Sequence, residues 1–166
     1  MKKFIIALVA VFAIGASAMA QAGSEKYAIG ARFGYRGGLD AEVSFMLGVG
    51  PNLNRIEMDL GWNYWDYNGY HHSGFQFTAA YQWRWNIVKG LHWYVGPGAN
   101  LAVWFGDYID HPFSIGVGGQ IGIEYDFDAP IQLSLDYRPM INFINPWNDS
   151  WGYYNDTFGF SVRYRF

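Results

Sequence analysis

Three groupings in this 166-residue chain use residue types on which chemistry can be built. His71, His72 and Ser73 are consecutive, and Asp110 and His111 form a second polar pair. An imidazole beside a hydroxyl, a water and a carboxylate is what general-base and nucleophilic catalysis require. Asp107, Asp110 and His111 also fall within five positions, and carboxylate oxygen suits Ca²⁺ or Mg²⁺. The third grouping is larger, with seven arginines and seven acids placed at every second residue along apolar stretches. The arginines are Arg32, Arg36, Arg55, Arg84, Arg138, Arg163 and Arg165, and the acids are Asp40, Glu42, Glu57, Asp59, Glu124, Asp126 and Asp136.

The first two groupings lie in turn-rich polar segments, where histidines and acids are stable without a ligand. They are read as solvated loop residues, so no catalytic residue, cofactor or metal site is expected. The third grouping depends on the elements that carry it.

Composition narrows those elements. The chain is 51% hydrophobic and 20% aromatic but only 15% charged, against about 25% in soluble domains. A net charge of −3 argues against a nucleic-acid partner, and a mean hydropathy of −0.05 argues against a bundle of membrane helices. Lys2 and Lys3, an apolar run over 4–14, and Ala18-Met19-Ala20 together predict a secretory signal peptide over residues 1–20. Cleavage after Ala20 leaves a single domain, 21–166. The absence of cysteine excludes a disulfide framework and a lipid-anchored N-terminus.

Beyond the signal, the hydrophobic period is two. Eight stretches alternate, at about 26–36, 39–49, 55–65, 75–87, 91–105, 113–127, 131–143 and 157–166, with turn signals such as Asn68-Gly69 and Lys89-Gly90 between them. Their lengths exceed those of ordinary strands and suit tilted strands that span a bilayer. Phases set by the apolar residues put all fourteen charges of the third grouping on the opposite face. His92 falls on that face too and is read as part of the same polar network. Balanced charges of this kind neutralise one another in a confined space.

Alternation alone does not say which face is inside. Here the polar face is rich in glycine, including Gly30, Gly34, Gly61, Gly96, Gly116, Gly122 and Gly159. Glycine weakens a solvated strand but makes room in a narrow barrel, whose interior is just wide enough for side chains. Trp65, Tyr94, Trp104 and Met46 are the bulky inward residues it accommodates. The apolar face is too bulky to fit inside and is read as facing lipid. Trp62, Tyr64, Trp83, Trp85, Trp93, Tyr125, Tyr137 and Tyr164 are candidates for aromatic girdles. The predicted fold is an all-β, eight-stranded antiparallel up-and-down transmembrane β-barrel, closed because an open sheet edge cannot persist in hydrocarbon. Pro97 and Pro139 fall inside strands, where they are read as bulges or as positions near a membrane interface.

The ending Phe158-x-Phe160-x-Val162-x-Tyr164-x-Phe166 resembles the C-terminal signal read by the outer-membrane barrel-assembly machinery. With a signal peptide and eight strands, the whole chain resembles small Gram-negative outer-membrane barrels of the OmpX and OmpA-transmembrane-domain type, and the aromatic- and glycine-rich barrel proteins of Bacteroidetes. The resemblance implies a cell outer-membrane location, outer-membrane lipid and lipopolysaccharide as surroundings, and the assembly machinery as a partner during biogenesis. It implies outward loops at 36–40, 66–74, 106–112 and 144–156, open to an extracellular ligand.

Some similar barrels modify lipid A with a rim histidine, serine and carboxylate, but no spacing here matches such a motif. The expected role is therefore structural or surface-interacting, with a filled, non-porin lumen. A lipid A-modifying enzyme and a narrow channel are the alternatives.

Overall fold

The computed structural model describes residues 26–35, 39–49, 54–67, 70–106, 112–144 and 153–166, and the backbone alone for 39, 63–67, 70–72 and 153–156. Eight strands follow in chain order: β1 Tyr27–Tyr35, β2 Leu39–Gly48, β3 Arg55–Tyr67, β4 Tyr70–Val88, β5 Leu91–Gly106, β6 Phe113–Asp126, β7 Ile131–Ile144 and β8 Tyr153–Arg165. Each pairs antiparallel with the next. β1 closes the ring on β8, from Ala28 opposite Arg165 to Tyr35 opposite Phe158. Closure leaves no strand running the length of an open edge, the condition for a sheet in hydrocarbon.

The alternation read from the sequence becomes two faces. On β3, Glu57 and Asp59 are 0% and 1% exposed while Leu60 between Asp59 and Gly61 is 54% exposed. Across the described strands the buried positions are chiefly Arg, Glu, Asp, Gln, Ser, Asn and small residues, joined by the bulky Met46, Tyr94, Trp104 and Met140, and the large exposed ones are Leu, Ile, Val, Phe, Trp and Tyr. This inverts a water-soluble barrel. The interior satisfies charge and the exterior is a coat of apolar side chains. The coat is aromatic at both ends, with Trp85 stacked on Trp93 at 4.6 Å between ring centres and Trp62 on Phe75 at 6.1 Å.

Glycine gives this narrow interior its room. Gly122 lies under the buried Tyr94, where a Cβ would fall 2.5 Å from the phenol ring and hydroxyl. Gly90 has φ of 80° and completes the two-residue link between β4 and β5, a conformation that side chains resist.

Three expectations change. The outward loop expected at 66–74 is strand: Tyr67 pairs with Tyr70 and Trp65 with His72, so only Asn68 and Gly69 separate β3 from β4. Asn-Gly is the strongest two-residue hairpin signal, and it outweighs the polar run from His71 to Gly74. Likewise β8 begins at Tyr153, inside the loop expected over 144–156.

Neither Pro97 nor Pro139 makes a bulge or sits at a strand end. The register is the same on either side of each, and pairing simply lapses at Tyr81–Gln82 opposite Gly96–Pro97 and at Gly119–Gln120 opposite Arg138–Pro139. The register shifts of these two ladders lie elsewhere, at Asn86/Val88 and Ile115/Gly116. Lacking an N–H, proline removes a ladder donor without adding a residue.

Candidate functional site: the charged lumen

The inward side chains form one connected network with two centres. The first is near the end of the barrel that carries Tyr27 and Phe166. Glu124 of β6 accepts from Arg55 of β3, through Nη1 at 2.9 Å and through Nη2, and also from Nε of Arg84 on β4. Arg84 also donates to Asp126 and contacts His92 Nδ1 at 2.9 Å. Gln132 donates to Asp126 at 2.8 Å, and Arg165 approaches the same carboxylate at 3.6 Å. Arg165 also donates to the backbone carbonyls of Phe127 and Ala129, fixing the β6–β7 turn. The guanidinium of Arg55 lies 4.9 Å above the Tyr94 ring, a cation–π contact within the usual range.

The second centre is Glu57 of β3. It accepts from Arg163 of β8, from Arg138 of β7 at 3.4 Å, from Gln82 of β4, from Gln120 of β6 at 3.2 Å and from Ser44 of β2 at 3.4 Å. Five other strands thus meet at one carboxylate. Arg163 is held further by Ser44 and Ser134, each at 2.8 Å. Around this hub, Arg138 pairs with Asp59 and Glu42, and Arg32 pairs with Glu42 at 3.1 Å and Asp136 at 2.6 Å. Gln82 links the two centres by accepting from Arg55 and donating to Glu57.

Arginine suits this role because its planar fork bonds several acceptors at once and stays charged. Each ion would cost several kcal/mol to bury alone; here every described arginine has a carboxylate within salt-bridge distance.

Of the fourteen charges expected on the inward face, the structure joins Arg32, Glu42, Arg55, Glu57, Asp59, Arg84, Glu124, Asp126, Asp136, Arg138, Arg163 and Arg165 in this network. Asp40 is half-buried on β2, away from the barrel's terminal end. Arg36 lies outside the described residues, as do Ala18, Ala20, Asp107, Asp110 and His111. Phe158, Phe160, Val162 and Tyr164 are on the exposed face of β8. Phe166 is buried and stacked on Tyr27, with ring centres 5.8 Å apart.

The bridging role of Gln82, Gln120, Ser44 and Ser134 is not signalled by their type. Their inward parity is the only sequence cue.

Among the described residues, His92, Glu124 and Asp126 are the group with metal-ligand character, their ligating atoms lying within 4.8 Å of one another. Arg84 already supplies a cation to all three, so the arrangement is an ion cluster filled by guanidinium. A cavity of about 360 Å³ opens beside it, lined by residues that include Lys89, His92, Asp128 and Arg165.

A closed, charge-filled, apolar-coated eight-stranded barrel is the class that this geometry defines. No family model matches the chain, and no curated protein matches it. Solved structures share its fold. The crystal structure of neisserial surface protein A superposes with a TM-score of 0.62 and 17% identity, covering 84% of this chain and 94% of that one. The outer-membrane protein Ail of Yersinia pestis, solved in a phospholipid bilayer nanodisc, gives 0.52 and 12% over 84% and 98%. A de novo designed transmembrane β-barrel gives 0.52 and 14% over 87% and 98%.

Proposed function

We propose that the chain is an integral outer-membrane β-barrel with a structural or surface-interaction role and a lumen that does not conduct like a porin. One observation carries this reading: the barrel buries paired charge and exposes an apolar coat, as a protein solvated by lipid requires. A charge on that coat at the bilayer midplane would cost about 2–4 kcal/mol, and no Asp, Glu, Lys or Arg is exposed among the described residues of the eight strands. The similar folds of neisserial surface protein A and of Ail, an outer-membrane protein by its title, support the same location.

On this reading residues 1–20 direct export and are cleaved after Ala20. Phe158, Phe160, Val162, Tyr164 and Phe166 are read by the barrel-assembly machinery. The barrel then sits among outer-membrane lipid and lipopolysaccharide, and the links between strands at 36–38, 107–112 and 145–152 face outward, open to a ligand. Eight strands enclose a space that side chains fill, unlike the 16–18 strands of porins.

Planar-bilayer recording of the purified, refolded protein tests the reading. Conductance at baseline is expected, and steady stepwise porin-like currents would overturn it.

A further inference from the structure

The two proline interruptions occupy a single row of the sheet. Tyr81 and Gln82 on β4 lie opposite Pro97 and Gly96 on β5 without pairing, whereas Gly96 and Pro97 do pair with Gln120 and Gly119 on β6. Gly119 and Gln120 in turn lie opposite Pro139 and Arg138 on β7, again without pairing. The β5–β6 ribbon is therefore cut loose from both neighbours along one line. The register continues on both sides of that line.

The inward positions of this row are Gln82, Gly96, Gln120 and Arg138. Three of the four donate to Glu57: Gln82, Gln120 at 3.2 Å and Arg138 at 3.4 Å. Gln82 also donates to Gln120 at 2.9 Å, spanning the β5 strand between them. Gly96, the fourth, leaves that span clear, and a Cβ there would fall 1.7 Å from the Tyr81 carbonyl oxygen. The side chains that cross the row thus tie β4, β6 and β7 together through Glu57, and β5 is held through its backbone pairing with β6.

We propose that Glu57 is a latch that holds the wall shut at its proline-interrupted row, and that the β5–β6 ribbon is the segment that moves when the latch is released. Apart from the register shifts at Asn86/Val88 and Ile115/Gly116, backbone pairing resists opening along the rest of these ladders. At this row the resistance comes from the interior, through Glu57, so the lumen and the wall are coupled at one place. Removing the carboxylate charge frees the row to open locally without unfolding the barrel, and water from the lumen then reaches the backbone groups between β4 and β5 and between β6 and β7.

Hydrogen exchange on the full barrel in phospholipid nanodiscs tests this. In Glu57→Gln the amides of Gln82, Gly96, Gly119 and Gln120 are expected to exchange at least about fivefold faster, with β1–β2 amides unchanged. Glu124→Gln, which disturbs the other centre, should leave the row as it is. Restoring the missing donors with Pro97→Val and Pro139→Val should return protection to Glu57→Gln. If Glu57→Gln does not fold, Gln120→Leu leaves Gln82 and Arg138 on Glu57 and should accelerate the same amides to a smaller extent. Unchanged exchange at the row, or acceleration spread evenly over all eight strands, overturns the proposal.

Discussion

Arg32 on β1 reaches over Gly159 of β8 to grip Asp136 on β7, with Nη2 to Oδ1 at 2.6 Å. A Cβ on Gly159 would fall 2.3 Å from Arg32 Nη2 and 2.4 Å from Cζ. The guanidinium occupies the space the missing side chain leaves, and the ion pair depends on it. Gly159→Val should therefore displace Arg32 and lower stability by about 3–5 kcal/mol, the cost of breaking a buried pair. Urea unfolding of the refolded barrel, followed by its heat-dependent gel mobility, reads this directly.

Removing the charges together should hurt less than removing either one. Asp136→Leu strands part of a buried guanidinium, and Arg32→Met strands a buried carboxylate. The double variant Arg32→Met/Asp136→Leu should recover at least about 1 kcal/mol relative to the sum of the singles, because apolar residues often replace buried ion pairs without loss. Glu42 keeps Arg138 in the double variant, which avoids leaving a new orphan. A four-way unfolding cycle gives the coupling, and strict additivity would contradict it.

The outward face should reject charge. Leu135 is 54% exposed, on the apolar coat between buried Ser134 and Asp136. Leu135→Arg should cost about 2–4 kcal/mol in a bilayer if the residue lies near the midplane. In a water-exposed position the same change would fall within about 0.5 kcal/mol of zero. Unfolding titrations in phospholipid distinguish the two.

Lipid A should not change with the histidines. His71 and His72 belong to the backbone of β4 rather than to a loop, and replacing His71, His72 and His111 by alanine should leave the lipid A mass spectrum of the producing strain as in wild type. A wild-type-dependent acyl or headgroup change that the triple variant loses would make the chain an enzyme.

The faces of the barrel are legible in the sequence because strand side chains alternate strictly. Once Phe158, Phe160, Val162 and Tyr164 are assigned outward, Arg163 and Ser161 must point inward. The pairing among inward charges is not legible in this way. Arg32 and Asp136 are 104 residues apart, and their meeting depends on the stagger of β1, β8 and β7, which parity does not carry. Glu57 becomes a hub for the same reason, since five other strands bring their donors to it only at one register.

The strand ends are less legible than the faces. Polar His71, His72 and Ser73 suggest a loop by composition, yet the pairing of Tyr67 with Tyr70 draws them into β4. Pro97 and Pro139 are visible as ladder breakers from sequence, but only the register puts them in one row.

On the proposed function, the apolar residues face lipid and the charges face each other. The chain contains no cysteine, so single cysteines can be placed along β7 and carry nitroxide labels. In phospholipid nanodiscs, labels at 131, 133, 135 and 137 should collide readily with lipid-dissolved oxygen, and those at 132, 134 and 136 should be shielded from both oxygen and an aqueous nickel complex. Aqueous access along the odd positions, or no alternation at all, would contradict the account.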